Sequence, residues 1–357
     1  MRIVLLHSGI RGPATYCLNM YRSLKKKGHD VLLISEAKWE KEKVPMYQAK
    51  SIKLLGLVPV VYKPWGIVKA IEKFKPDIIH YHWPCGTMDL LFSHIRKFEV
   101  PIVVTIHVSV DSKKFIFDKL YYLHFSKYKK HLKTVEAVVN ISKFIEKQVK
   151  ARIRLPQKKL HLIYAGVNHK VFKPYPQKKR DYLEVLFVGQ IMPEKGIDFL
   201  IEAVKRASNI RKIKLNIIGY GHMKKKLQKE TKDDKCINWV GFLKDQKDIA
   251  KYYSSADITA LPTRWDEPFS LVPVESIACG TPVIASKCGG NPEIIIPGKT
   301  GYLVEPYNKK ELFDLIQNVE ISELEKMRKA CRDRALKNHT IDLFTENHIK
   351  LYKKLIG

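Results

Sequence analysis

The sequence predicts a doubly wound α/β fold built as two Rossmann-like domains facing across a cleft. Three observations lead there. Short runs rich in Val, Ile and Leu alternate with longer segments of helical period along most of the chain. Several of those runs are continuous rather than alternating, which belongs to parallel strands covered by helices on both faces. The length of 357 residues exceeds one typical domain of roughly 100–200 residues, and the two halves open alike, with Val4–Leu6 running into Ser8–Gly12 and Leu186–Val188 into Gly189–Gly196.

Taken in order, Arg2–His7 reads as a strand. Pro13–Lys27 follows as a helix, with Tyr16, Met20 and Leu24 spaced by four and Gly28 as its stop. Asp30–Ser35, Asp77–His82, Pro101–His107 and Val135–Ser142 are the further strands of the first half. Gly166–Arg180 carries two prolines and a closing basic run without clear period, so it reads as a linker. The second half offers strands at Leu183–Gly189, Lys214–Gly219, Cys236–Val240, Asp257–Leu261, Pro282–Ser286 and Gly301–Val304, and a helix at Val272–Cys279. Ile341–Ile356 is helical and basic. The expected domains are residues 1–168, 169–340 and a C-terminal helix, 341–357, packing back on the first. Open α/β sheets bind ligands beyond the carboxyl ends of their strands.

Composition narrows the function. Hydrophobic residues at 45% rule out a disordered chain. Six scattered cysteines without a C-x-x-C pair read as reduced thiols rather than a metal site. No apolar run approaches the roughly 20 residues of a membrane span, and Pro59 interrupts the longest, Leu54–Tyr62. The apolar start is too short for a signal-peptide core, so the expected location is cytoplasmic. The net charge of +29 is uneven. Residues 1–168 hold 31 Lys/Arg against 12 Asp/Glu, which is +19; the remainder holds 34 against 24, which is +10. Charge of this size bears on anionic partners, not on fold.

The chemistry concentrates in Glu267-Pro268-Phe269-Ser270-Leu271-Val272-Pro273-Val274-Glu275, two carboxylates around a turn that opens a helix. Free amides at a helix start attract anions, and carboxylates beside them accept hydrogen bonds from sugar hydroxyls. On spacing alone the plainer reading, a helix-dipole charge and an exposed residue, is the commoner one. Ala278-Cys279-Gly280-Thr281-Pro282-Val283-Ile284-Ala285-Ser286, Gly289-Gly290-Asn291-Pro292-Glu293-Ile294-Ile295 and Gly298-Lys299-Thr300-Gly301-Tyr302-Leu303-Val304 follow. With them the chain resembles the family 4 glycosyltransferases of the two-domain GT-B fold, from the Gly9–Gly12 loop to Gly301 and most densely over Ala256–Val304.

That resemblance implies retaining transfer of a hexose-type sugar from a nucleotide-sugar donor to a sugar, glycan or lipid-linked acceptor, without a metal or other cofactor. It implies that the C-terminal domain holds the nucleotide and the N-terminal domain the acceptor. It places Glu275 on the ribose hydroxyls, and Glu267 on the donor sugar with Phe269, Ser270 and Leu271 beside it. Lys195 falls on the leaving diphosphate, where a fixed cation stabilises developing charge. His107 falls near the reacting centre. Gly9 and Gly12 let backbone approach the diphosphate, and Gly219 lies in the turn near the base. One position departs from the pattern: Gln190 stands where the family usually has arginine, so a charged fork is replaced by a neutral amide. Arg11 or Arg264 could supply the missing charge; alternatively the chain is a catalytically weak homologue that binds a nucleotide sugar. Another GT-B enzyme, such as a nucleotide-sugar epimerase or a phosphorylase, is the remaining alternative.

Arg11, His80 and His82 are expected on the acceptor side. The two histidines are expected on opposite faces of their strand, and not as a metal pair. Lys113–Lys133 holds seven lysines, two histidines and six aromatics with Asp118 as its acidic residue. It reads either as a solvated helix with inward aromatics or as a docking segment for an anionic membrane surface, peripheral at the inner face of the cell membrane. No arranged nucleic-acid reader accompanies the charge, so nucleic acid is not expected as a partner.

Overall fold

A computed structural model describes the chain apart from residues 8–10, 36–45, 49–50, 55–57, 62–63, 84–91, 110–128 and 178–179. It divides into two compact units. The first comprises Met1–Ala165 with Ile341–Gly357, and the second Gly166–Thr340.

The first unit is built on a seven-stranded parallel sheet. Its strands are β1 (Arg2–His7), β2 (Asp30–Ser35), β3 (Met46–Gln48), β6 (Ile78–Trp83), β7 (Ile102–Ile106), β8 (Ala137–Asn140) and β9 (Leu160–Leu162). Between β3 and β6 the chain makes an antiparallel hairpin of β4 (Ser51–Leu54) and β5 (Val58–Val61), in which Pro59 faces Lys53. The order β3-β2-β1-β6-β7-β8-β9 puts β1 beside both β2 and β6, so the winding reverses there. β1, β6 and β7 are near-continuous apolar runs, with Ile3–Leu6, Ile78–Ile79 and Ile102–Val104 at 0–1% exposure. That is what helices on both faces demand.

Helix α1 (Arg11–Lys26) opens two residues earlier than its hydrophobic spacing suggests. Tyr16, Met20 and Leu24 form its buried stripe, Lys25 and Lys26 sit in its last turn, where cations suit the dipole, and Gly28 takes the left-handed φ of +81° that ends it. Helix α2 (Pro64–Phe74) starts with proline, whose missing N–H costs nothing there. Helix α3 (Lys143–Ile153) is capped by Ser142, whose side chain accepts from the Ile145 amide.

The second unit repeats the plan on a six-stranded parallel sheet of order β12-β11-β10-β13-β14-β15. The strands are β10 (Leu183–Gln190), β11 (Ile213–Tyr220), β12 (Ile237–Gly241), β13 (Ile258–Leu261), β14 (Val283–Ser286) and β15 (Gly301–Val304). Here the winding reverses between β10 and β13. The helices used below are α4 (Ile197–Ser208), α5 (Gln246–Ser255), α6 (Leu271–Ala278), α7 (Lys309–Asn318) and α8 (Ile321–Asn338). Leu200, Val204 and Ala207 of α4 are fully buried on the sheet; each full burial of a side chain the size of leucine contributes about 1.5–3 kcal/mol. Helix α9 (Ile341–Ile356) belongs to the first unit and packs on α1, burying Phe344, His348, Leu351 and Tyr352 on one stripe.

Candidate functional site

Ligand sites in such sheets form where the strand order reverses, beyond the carboxyl ends. In the second unit that place is occupied by the segments leaving β10 and β13. After β10 the chain makes a single tight turn, Pro193–Lys195, and enters α4 through Gly196. Gly196 has φ +67°, and a Cβ there would lie 1.9 Å from the Pro262 carbonyl oxygen, so only glycine fits. The Glu194 carbonyl accepts from the Arg264 amide at 2.8 Å and the Thr263 hydroxyl at 2.9 Å. The two segments are therefore stitched together through backbone.

That stitching puts Lys195 against Glu267. The ammonium donates to Oε1 at 2.6 Å, with the side chains 12% and 11% exposed. Lys195 also lies 5.3 Å from the centre of the Trp265 ring. Glu267 Oε2 is buried without a hydrogen-bond partner. Its backbone is held from the other side, since the Gly290 amide donates to the Glu267 carbonyl at 2.8 Å. Gly289, at φ +56°, approaches so closely that a Cβ would stand 2.0 Å from that same oxygen.

Phe269, Ser270 and Leu271 carry the chain into α6. Ser270 is the N-cap but makes no side-chain capping bond, which leaves the first-turn amides available to an anion. One turn on, Glu275 accepts a hydrogen bond from the Tyr253 hydroxyl of α5 at 3.0 Å. Burial pushes the Glu275 carboxyl up to about 7, and the Tyr253 hydrogen bond opposes that rise. Ser276 fixes α6 to the sheet by donating to Thr259 at 2.8 Å.

Gln190 ends β10 with its side chain exposed, in register with Tyr220 at the end of β11. Gly219 brings β11 against β10, and a Cβ there would stand 1.8 Å from the Gly189 oxygen. Arg264 pairs with Asp198 and stacks at 3.8 Å over Phe199, so that guanidinium is already committed. Gly9 lies outside the described residues. Arg11 and Gly12 form the start of α1, where the Arg11 side chain is also outside the description.

In the first unit the carboxyl ends of β1, β6 and β7 bring histidines together. His82 Nδ1 and His107 Nε2 are 3.0 Å apart. His80 and His82 stack with ring centres 4.3 Å apart, which corrects the expectation of opposite faces: side chains two apart on a strand point the same way. His80 also bonds the Tyr352 hydroxyl at 2.5 Å and the Thr105 hydroxyl at 2.6 Å. Tyr16 sets its ring edge-on to His107 at 4.6 Å. His348 Nδ1 donates to the Phe344 carbonyl at 2.8 Å, so in the neutral ring Nε2 accepts from Tyr16 at 3.4 Å. Burial pushes His107 down to about 3, helped by the nearby His7 and His348. It pushes His348 to about 4, and burial with neighbouring imidazoles holds His80 and His82 well below the usual histidine range. The cluster is neutral at ordinary pH. Among the described residues no three His, Cys, Asp or Glu side chains are grouped to hold a metal ion.

Sequence reasoning missed the partners: Tyr253 under Glu275, Asp198 under Arg264, and Tyr16, His348 and Tyr352 around the histidines. The spacing of His348 and Tyr352, four apart on a helix, was a readable signal of a shared face; no motif singles out Tyr253.

Comparison with known proteins gives a consistent result. The family model described as Glycosyl transferases group 1 matches residues 169–338, and that described as Glycosyltransferase Family 4 matches residues 10–171. An uncharacterized glycosyltransferase of Methanocaldococcus jannaschii is 30% identical over 259 residues, covering 70% of this chain and 68% of that protein. Among solved structures, sucrose-phosphate synthase of Thermosynechococcus elongatus superimposes with a TM-score of 0.82 at 22% identity, covering 99% of both chains. HepE of Anabaena in complex with UDP-glucose does so with a TM-score of 0.79 at 18% identity, covering 99% of this chain and 100% of that one.

Proposed function

Because the chain belongs to the family 4 glycosyltransferases of GT-B fold, we propose that it moves a hexose-type sugar from a nucleotide-sugar donor, with retention of configuration, to a sugar, glycan or lipid-linked acceptor. The observation that carries this reading is the pairing of Lys195 with Glu267 where the second sheet reverses its winding. A cation, a carboxylate with an unused oxygen and an uncapped helix start lie on consecutive stitched segments. They offer an anion site and an acceptor for hydroxyl donors side by side, which are what the phosphates and hydroxyls of a sugar diphosphate call for.

In this reading Glu275 takes the ribose hydroxyls and the first amides of α6 take phosphate oxygens. Lys195 neutralises the charge that gathers on the diphosphate as the sugar leaves, so its interaction strengthens in the transition state. Glu267 orients the sugar through its hydroxyls. His107, neutral and held by His82, offers a hydrogen bond rather than a charge. The UDP-glucose bound by HepE supports a nucleotide-sugar donor here. The test is nucleoside diphosphate release from a panel of nucleotide sugars with candidate acceptors, and the anomeric configuration of the product. Lys195→Ala should cut turnover far more than donor affinity. Turnover within about threefold of the parent would refute the diphosphate role.

The basic first domain supports a second element of the proposal, docking on an anionic membrane surface that bears the acceptor. Lys113–Lys133 lies outside the described residues up to 128; Lys130 and Lys133 are exposed, as are Lys143, Lys147 and Lys150 of α3. No helix of the described residues is long and apolar enough to cross a membrane.

A further inference from the structure

We propose that the Lys195–Glu267 ion pair makes the donor site prefer an intact nucleotide sugar to the nucleoside diphosphate left after transfer. The inference rests on the nucleotide-sugar reading above and assigns to Glu267 a specificity role against product.

In the free protein the Lys195 ammonium is already neutralised by Glu267 Oε1 at 2.6 Å, and both side chains are almost wholly withdrawn from water. A diphosphate that takes Lys195 must either break that pair or share the ammonium with it, beside the carboxylate's negative charge. The Glu267 backbone is fixed, because its carbonyl is bonded to the Gly290 amide and the Gly289 backbone packs against it, so the carboxylate can follow the lysine only by a change of side-chain rotamer. Of the other residues at these strand ends, Arg264 is engaged by Asp198 and Phe199, and Gln190 is neutral. Breaking the pair therefore strands a carboxylate that is 11% exposed and whose second oxygen already lacks a partner. A buried charge that loses its partner is costly, and a nearby phosphate raises the cost by like-charge repulsion.

What a ligand brings to Glu267 decides the outcome. A bare nucleoside diphosphate supplies anionic oxygens and no donor on that side. An intact nucleotide sugar supplies the same phosphates and, one bond further, sugar hydroxyls that donate to both carboxylate oxygens. Such hydrogen bonds to an ionised group are among the stronger ones. The pair thus couples the two recognition events: drawing Lys195 away from Glu267 is offset when phosphate and hydroxyl arrive on one molecule. After transfer the hydroxyls leave with the product, Lys195 returns to Glu267, and the diphosphate is displaced by an internal carboxylate.

The experiment is isothermal titration of the full chain and of Glu267→Gln with uridine, guanosine and adenosine diphosphates and with the corresponding nucleotide hexoses. Glu267→Gln frees Lys195, so the recognised nucleoside diphosphate should bind about tenfold tighter while the intact donor binds no tighter; a charge pair of this kind typically couples by at least that factor. Glu267→Asp, which keeps the charge but shortens the reach, should shift the same ratio in the same direction by less and guards against misfolding of the first variant. Weaker or unchanged diphosphate binding in both variants overturns the proposal and leaves the donor reading standing. Absence of binding of every nucleotide and nucleotide sugar to the parent chain overturns the donor reading and the proposal with it.

Discussion

Glu275 should make nucleotide binding depend on pH in a range where most carboxylates do not titrate. On the proposed reading a ribose hydroxyl donates to the ionised carboxyl, and burial has pushed this carboxyl up to about 7. At pH 8 about nine-tenths of the molecules carry the charge and at pH 6 about one-tenth, so the apparent affinity should fall about tenfold across that interval, in proportion to the competent fraction. The Tyr253 hydroxyl, 3.0 Å from Oε2, favours the ionised form. Tyr253→Phe should move the midpoint upward and weaken binding at pH 7; a hydrogen bond to a charged group contributes about 1.5–3 kcal/mol, of which the lower figure is already about tenfold. Glu275→Gln cannot ionise and should flatten whatever part of the profile is not the phosphate's own titration. Stability of the free protein should run the other way. The folded carboxyl lies above its ordinary 4.5, so the fold favours the neutral form. That contribution is full below about pH 4.5 and is lost as pH rises through about 7. Titration calorimetry and thermal melting from pH 5.5 to 8.5 measure both trends. A midpoint that stays in place in Tyr253→Phe, or a Glu275→Gln profile identical to the parent's, would show that Glu275 does not hold the ribose.

Three further outcomes follow from the same geometry. Gln190→Arg should raise turnover, because it restores a charged fork at an exposed strand end; unchanged or lower kcat at unchanged Tm would mean that the site already has its full complement of cations. Gly289→Ala should cost more than about 1 kcal/mol of stability from its left-handed φ alone and should depress turnover further by displacing Glu267, so kcat near the parent value in a folded variant would count against Glu267 as a sugar contact. Replacing Lys129, Lys130 and Lys133 by Gln should reduce sedimentation with anionic vesicles by about 1 kcal/mol for each lysine that reaches the surface; equal partitioning to neutral and anionic vesicles would leave the charge as solvated surface.

The strands that are continuous apolar runs were legible in the sequence to within one or two residues, because burial on both faces leaves no room for polar positions. Ile341–Ile356 was legible for the corresponding helical reason, one stripe of Phe344, His348, Leu351 and Tyr352. β3 and β9, three residues each, were not, since three residues carry no period, and the β4–β5 hairpin was hidden by Pro59 in what looked like an interrupted apolar run. At the site Gly219, expected in a turn, does meet a close backbone approach, while Gly9 lies outside the described residues. The partnerships were not, because they join residues far apart in the chain. Lys195 and Glu267 are 72 positions apart, and Tyr253 meets Glu275 only through the packing of α5 on α6.

The two units use one topology for two electrostatic ends. Each sheet reverses its winding beside its first strand, and each gathers polar side chains beyond that point. In the first unit the residues are imidazoles and hydroxyls, so deeply buried that the cost of charging them keeps them neutral. Their mutual bonds, with those from Tyr16 and Tyr352, fix ring orientation without fixing a charge. In the second unit the residues are a lysine and a carboxylate that neutralise each other until something else satisfies both. On the proposed reading, a self-neutralised end accepts a sugar diphosphate without standing as a permanent trap for free anions. The two ends differ in what they hold: the first, hydrogen bonds between neutral groups that need only exchange partners, the second, a charge pair whose partners both need another charge or donor if it opens.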